Sequence, residues 1–187
     1  ITITTGNAFS GTHELSVSQL AVSQRNVSDS YSDALMSLNG GSGFNLTLTT
    51  GTPPNQATQT IAIEPGEDTP AGLVYAINSS GLGYSASIVD TEGDGSSYRI
   101  ILEGPTGEAN AFTLSSDIGT DFGFHHPSNA SMSRSAQDAE FTINGVDISR
   151  SSNTIDDVLT GVTFQLKGLV DPTDPATLTV TKDISLL

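Results

Sequence analysis

Phe141-Thr142-Ile143-Asn144-Gly145-Val146-Asp147-Ile148 is the stretch that decides the class of fold. Phe141 and Ile143 alternate with polar neighbours and run into Asn144-Gly145, and Val146 and Ile148 alternate out again. Both central residues of a type I′ turn need positive φ, which Asn and Gly adopt most readily, so the octet predicts a two-residue β-hairpin. The same period of two recurs on either side of it. Val162, Phe164 and Leu166 form one face downstream, and Leu178 and Val180 form the last. Upstream lie Leu15 and Val17 within His13–Leu20, then Phe44, Leu46 and Leu48, then Ile61 and Ile63. Tyr84, Ala86 and Ile88 precede Tyr98, Ile100 and Leu102, with Asp90–Gly95 between them as the turn of a second hairpin. Such alternation marks strands with one buried face. Five of the eleven Tyr and Phe residues (Phe44, Tyr84, Tyr98, Phe141 and Phe164) fall in these sets and are assigned to the core. The polar stretch Gly51–Ala57, with Pro53-Pro54-Asn55, reads as an exposed loop.

Two short helices interrupt the strands. Thr69 is placed to cap free amides, Pro70 suits the first helical position, Leu73, Val74 and Ile77 share a face, and Gly81 stops it. Thr154-Ile155-Asp156-Asp157 approximates a capping box before Val158 and Leu159, with Gly161 as its end. Helices this short need tertiary packing to persist. Polar, turn-rich stretches at Gln24–Gly41 and His126–Ser131 look like junctions. If the chain crosses at both, residues 38–127 form an inserted β domain that carries the first helix. The flanks 1–37 and 128–187 then pair into a second, discontinuous β domain. The expected class is mainly β, β-rich with two short helices, in two small domains, one inserted into the other.

Composition narrows the function. Six Lys and Arg against 21 Asp and Glu give a formal charge of −15 in 187 residues. That leaves too few cations to displace counterions from a phosphate backbone, so no nucleic-acid partner is expected. No apolar run approaches the roughly 20 residues that span a bilayer, and no membrane partner is expected. The chain has no Cys, which removes disulfides and thiolate chemistry. It begins at Ile1 without an initiator Met and reads as the middle piece of a longer protein.

No catalytic constellation emerges. Asp90, Glu92 and Asp94 before Gly95 imitate the opening of a calcium loop, but the position that needs a bidentate Glu is Ile101. An acidic hairpin is the expected reading, with a weak cation site as the alternative. His125 and His126 are adjacent, and neighbours on an extended chain point apart, so they do not readily chelate one ion. His13 is the only other histidine, which leaves a Ser-His-Asp triad few members. Gly104-Pro105-Thr106-Gly107 has neither the Lys nor the long helix of a phosphate cradle and reads as a turn. No catalytic, cofactor-binding or metal-binding residue is assigned, no cofactor is expected, and the protein-interaction residues stay unknown.

Several segments together resemble the flagellar filament cap family, hook-associated protein 2. Thr5-Gly6-Asn7-Ala8 and then Gly11-Thr12, running into Leu15–Ala21, are similar to that family's lead into its first head domain. Ala71-Gly72-Leu73-Val74-Tyr75-Ala76-Ile77-Asn78 resembles the helix of the flagellin-type repeat. As in that family it is followed by Tyr84–Val89, Tyr98–Leu102 and Thr106–Leu114. Ala136–Val146 and Ser151–Phe164 resemble the "A-x-D-A-x-x-x-x-N-G" and "S-S-N-T-I-x-D-x-x-x-G-V-T" signature that separates the cap from other axial proteins. The long helices of the family's leg domain are absent from this sequence.

The resemblance implies a non-enzymatic assembly protein. It would be the head region of a ring-like homo-oligomer at the extracellular distal tip of the filament, holding exported flagellin until it inserts. Alternatives are an adhesin-like head that binds host mucin or glycan, or a related axial protein such as a junction protein or a flagellin variable domain.

Overall fold

The computed structural model describes residues 3–5, 9–51, 54 and 56–181. Its strands are β1 (Ile3–Thr5), β2 (Gly11–Gln19), β3 (Ser23–Val27), β4 (Phe44–Thr50) and β5 (Ala57–Ile63), followed by α1 (Pro70–Ser79). Then come β6 (Ser85–Asp90), β7 (Tyr98–Thr106), β8 (Phe112–Ser116), β9 (Ala139–Ile143) and β10 (Val146–Arg150). The last are β11 (Thr154–Leu159), β12 (Val162–Gln165) and β13 (Ala176–Val180). Short 3-10 turns occupy Glu108–Asn110 and Pro127–Met132. The molecule is therefore mainly β, as the alternating sequence required. Thr52, Pro53 and Asn55 of the expected loop, and Gly6–Ala8 of the leading segment, lie outside the described residues.

The contacts divide the chain into two compact units. One takes the described residues of Ile1–Val22, Thr106–Glu108 and Gln137–Leu187; the other takes Ser23–Pro105 and Ala109–Ala136. These borders differ from the expected 38 and 127. β3 hydrogen-bonds into the sheet of β7, so residues 23–37 group with the inserted segment. Arg25 and Arg134 exchange two backbone hydrogen bonds of 2.8 Å, which brings residues 128–136 with them. The turn residues at Asn39–Gly43 had marked a loop inside a unit rather than a border. The chain crossing instead sits at Val22 and Gln137, which pair by backbone bonds of 3.0 and 3.1 Å.

In the first unit a four-stranded sheet, β10-β9-β2-β13, shares a core with a three-stranded sheet, β1-β12-β11. The β9–β10 hairpin turns through Asn144 (φ 52°) and Gly145 (φ 78°), the left-handed pair that a type I′ turn needs. Phe141 of β9 and Phe164 of β12 meet edge to face at 6.0 Å and 88°, tying the two sheets together. Each ring contributes roughly 1.5–3 kcal/mol by burial, and the pair about 0.5–1.5 kcal/mol more.

Thr154–Leu159 forms a strand, not the expected second helix. Its apolar residues stand at 155, 158 and 159, a helix-like spacing. The cause is a register irregularity against β12 between Ile155 and Leu159, which breaks the period of two. Ile155 is buried beside Phe164, and Gly161 (φ 73°) serves the tight turn between β11 and β12 rather than a helix end.

The second unit combines sheets β3-β7-β6 and β5-β4-β8 with α1 around Leu46, Leu48, Leu73, Ile77, Ile100 and Leu102. α1 starts where the sequence placed it. Thr69 Oγ1 accepts the Gly72 amide at 3.0 Å, Pro70 is the first helical residue, and Gly81 (φ 69°) follows the end. Tyr84 and Phe112 stack edge to face at 5.1 Å.

Candidate functional site

Built up from the residues, the polar side chains singled out by the sequence have local partners. Asp90 Oδ1 accepts the amides of Glu92 (3.2 Å) and Gly93 (2.9 Å), and its Oδ2 accepts Gly95 (2.8 Å). Asp94 accepts the Ser96 amide and hydroxyl, chiefly the hydroxyl, and its carboxyl is held below the ordinary carboxylate range. These carboxylates shape the β6–β7 turn. Among the described residues, no three His, Asp or Glu stand close enough to hold a metal ion.

The histidines turn to different partners. His125 Nδ1 lies 3.2 Å from Asp121 and its Nε2 lies 3.3 Å from Asn26 Nδ2, whereas His126 Nδ1 meets Ser128 Oγ at 2.5 Å. Burial pushes the Asp121 carboxyl up, but the Gly123 amide and His125 outweigh it, and the net shift is downward. His13 pairs with Asn144 at 3.1 Å, in the other unit. Gly104-Pro105-Thr106 forms the end of β7, and Gly107 (φ 99°) turns the chain toward the first 3-10 turn.

A recurrent device was not legible in the pattern: one Asn or Gln brackets the N–H and C=O of a single residue, three times with its side-chain amide alone, as a neighbouring strand would. Asn153 accepts the Ala21 amide and donates to the Ala21 carbonyl, both at 2.8 Å. Gln24 does the same to Phe112 at the edge of β8 (2.8 and 2.7 Å). Asn78 does so to Ala86 at the edge of β6 (2.9 and 2.8 Å). Asn144 accepts the Glu14 amide through its side chain while its own amide donates to the Glu14 carbonyl, both at 2.9 Å. Three of these four residues, Asn78, Asn144 and Asn153, lie within the segments that carried the family resemblance. Their visible work is to close strand edges and turns. Asp68, 2% exposed, likewise clamps the Ser37–Gly41 loop, with its Oδ2 accepting Ser37 Oγ (2.6 Å) and the amides of Asn39 (2.8 Å) and Gly41 (2.9 Å). The Ser37 hydroxyl foremost, then the Asn39 amide, holds its carboxyl low.

Fold and side chains together define a two-unit β scaffold protein. A family model for the flagellar hook-associated protein 2 C-terminus matches residues 136–187. The flagellar hook-associated protein 2 of Escherichia coli (strain K12) is 34% identical over 161 residues, covering 82% of this chain and 34% of the relative. The A-type flagellar hook-associated protein 2 of Pseudomonas aeruginosa is 29% identical over 203 residues, covering 96% of this chain and 40% of its own. Among solved structures, the D2-D3 domains of the flagellar cap protein FliD from Escherichia coli superpose with a TM-score of 0.79 at 32% identity. That match covers 97% of this chain and 93% of that one. The corresponding domains from Serratia marcescens give 0.75 at 30% identity, covering 96% and 98%. The chain belongs to the flagellar hook-associated protein 2 family. It spans 34% and 40% of the length of these two curated relatives' full chains.

Proposed function

We propose that the chain is the head region of a flagellar filament cap, a non-enzymatic assembly protein. In this reading it sits outside the cell at the distal tip of the filament, as part of a ring-like homo-oligomer. There it keeps exported flagellin close to the growing end until the subunit inserts, and so limits leakage of monomer. The observation that carries the reading is the match along both β units to the cap D2-D3 domains of Escherichia coli, with nearly the whole of each chain covered. The chemistry required is a high local concentration of a bound subunit rather than bond-making. A charge of −15 makes neighbouring heads repel, so contacts between them rest on apolar surface and strengthen with salt.

The test is to disrupt the parent gene and follow motility and flagellin in the culture medium. Complementing with the full-length parent protein, and with a version lacking residues 23–136, then locates the requirement. Short or absent filaments with monomeric flagellin in the medium, cured by the full-length protein, are expected. Filaments of normal length and number without the parent gene overturn the cap role.

A further inference from the structure

Among the described residues of the second unit, β5 presents a strand edge that no side-chain amide brackets. On β6 and β8, one outer-edge residue each, Ala86 and Phe112, is bracketed by a side-chain amide, that of Asn78 and of Gln24. β5 is the outer strand of β5-β4-β8 and pairs with β4 in unbroken register from Ile63 opposite Phe44 to Ala57 opposite Thr50. Beyond that ladder, its backbone groups have no hydrogen-bond partner among the described residues. The strand reads Ala-Thr-Gln-Thr-Ile-Ala-Ile, with no charge, no proline and no bulge, so its own sequence carries none of the usual protections of an exposed edge.

A groove of about 370 Å³ runs along this edge, with β5 as one wall and α1 as the other. Ile61 and Ile63 line the strand side, and Tyr75, 70% exposed, and Ala76 line the helix side. Glu64 and Glu67 also line it, both exposed and without an ion-pair partner among the described residues, and no Lys or Arg lines the groove.

We infer that this groove binds an extended protein segment by strand addition to β5, with apolar side chains at alternate positions and a Lys or Arg against Glu64 and Glu67. The free backbone edge calls for an extended chain, because only that conformation matches a row of donors and acceptors. The two carboxylates set the sign of the partner's charge. α1 walls the groove opposite β5, which favours a single added strand over a continuing sheet. That, with the chain's own −15, disfavours a second copy of the same molecule. The inference stands independently of the cap assignment.

A phage-displayed library of random twelve-residue peptides, selected on the 187-residue chain, tests it. Affinities of the enriched peptides are then measured by fluorescence anisotropy on three proteins: wild type, Ser79→Trp, and Glu64→Lys/Glu67→Lys. Ser79 is an exposed helix residue lining the groove, so tryptophan there obstructs the site without touching the core, and unchanged circular dichroism verifies the fold. Enriched peptides should alternate apolar with other residues, carry a basic residue towards one end, and bind both variants at least about ten-fold more weakly. The inference is overturned if no peptide is enriched, or if the enriched peptides bind Ser79→Trp as tightly as wild type. Self-association of the wild-type chain that Ser79→Trp abolishes in sedimentation would also overturn it, by assigning the groove to a second copy.

Discussion

Replacing Asn153 with Ala should lower the melting temperature of one unit while leaving that of the other unchanged. The Asn153 amide makes two 2.8 Å hydrogen bonds to the peptide of Ala21, which is 3% exposed. Alanine removes both partners at once and strands a buried N–H and a buried C=O. Each lost bond contributes about 1 kcal/mol net, and each stranded group costs about 1–3 kcal/mol if water does not reach it. With partial relief by water, the destabilisation is about 3 kcal/mol. In a unit of well under about 100 residues, 1 kcal/mol lowers Tm by roughly 4–8 °C, so the shift should exceed about 10 °C.

The distribution of chromophores makes the assay specific. The chain has no Trp, and its four Tyr residues, at 31, 75, 84 and 98, all belong to the second unit, whereas Asn153 belongs to the first. Tyrosine fluorescence therefore follows the second unit and far-UV circular dichroism follows both. In thermal scans of Asn153→Ala, the dichroism should gain an early phase while the tyrosine transition stays where it was. A dichroism curve shifted by less than about 2 °C would refute the bracket argument. A tyrosine transition that moved down in parallel would refute the independence of the units.

Further outcomes follow from other residues. Gly145→Val forces a β-branched side chain to φ 78° in the β9–β10 turn and should cost about 1–2 kcal/mol in urea unfolding followed by far-UV circular dichroism. Tyr31, whose hydroxyl is pushed up to about 12, mainly by burial and against a lowering contribution from Ser28, should ionise last in a spectrophotometric titration. Its stabilisation is fully present below pH 10 and is lost as pH rises from 10 to 12, by roughly 2–3 kcal/mol, and Tyr31→Phe should flatten that fall in an alkaline denaturation series. Asp68 has a lowered carboxyl pKa. Its stabilisation is therefore present above the unfolded value and lost as pH falls through the folded one, and Asp68→Asn should weaken acid dependence of the tyrosine-detected Tm. Deleting 23–136 and joining Val22 to Gln137 through a short glycine linker should leave a β-rich, cooperatively melting remainder, because those residues already pair. A remainder without a thermal transition would count against the insertion.

The signals legible in the sequence were those whose physics is local. Alternation at Phe44–Leu48 and Tyr98–Leu102 marks strands because side chains on a pleated chain change face at every residue. Asn144-Gly145 marks its turn because few residue pairs tolerate two left-handed conformations, and Thr69-Pro70 marks its helix because a cap needs only its own first turn. Family membership was legible for the same reason, since the matched segments are continuous runs.

What escaped depended on partners distant in the chain. Thr154–Leu159 had helix-like spacing until pairing with β12 made it an irregular strand, and β3 has almost no apolar alternation, held instead by the sheet of β7. The unit borders moved with that pairing. The roles of Gln24, Asn153 and Asp68 were likewise invisible, because their partners lie 88, 132 and up to 31 residues away. The open edge of β5 is a property of what does not pair with it, which only the assembled sheet decides. Sequence alone determined the elements whose geometry is set by neighbouring residues; tertiary structure decided every feature in which a polar group had to find its partner across the fold.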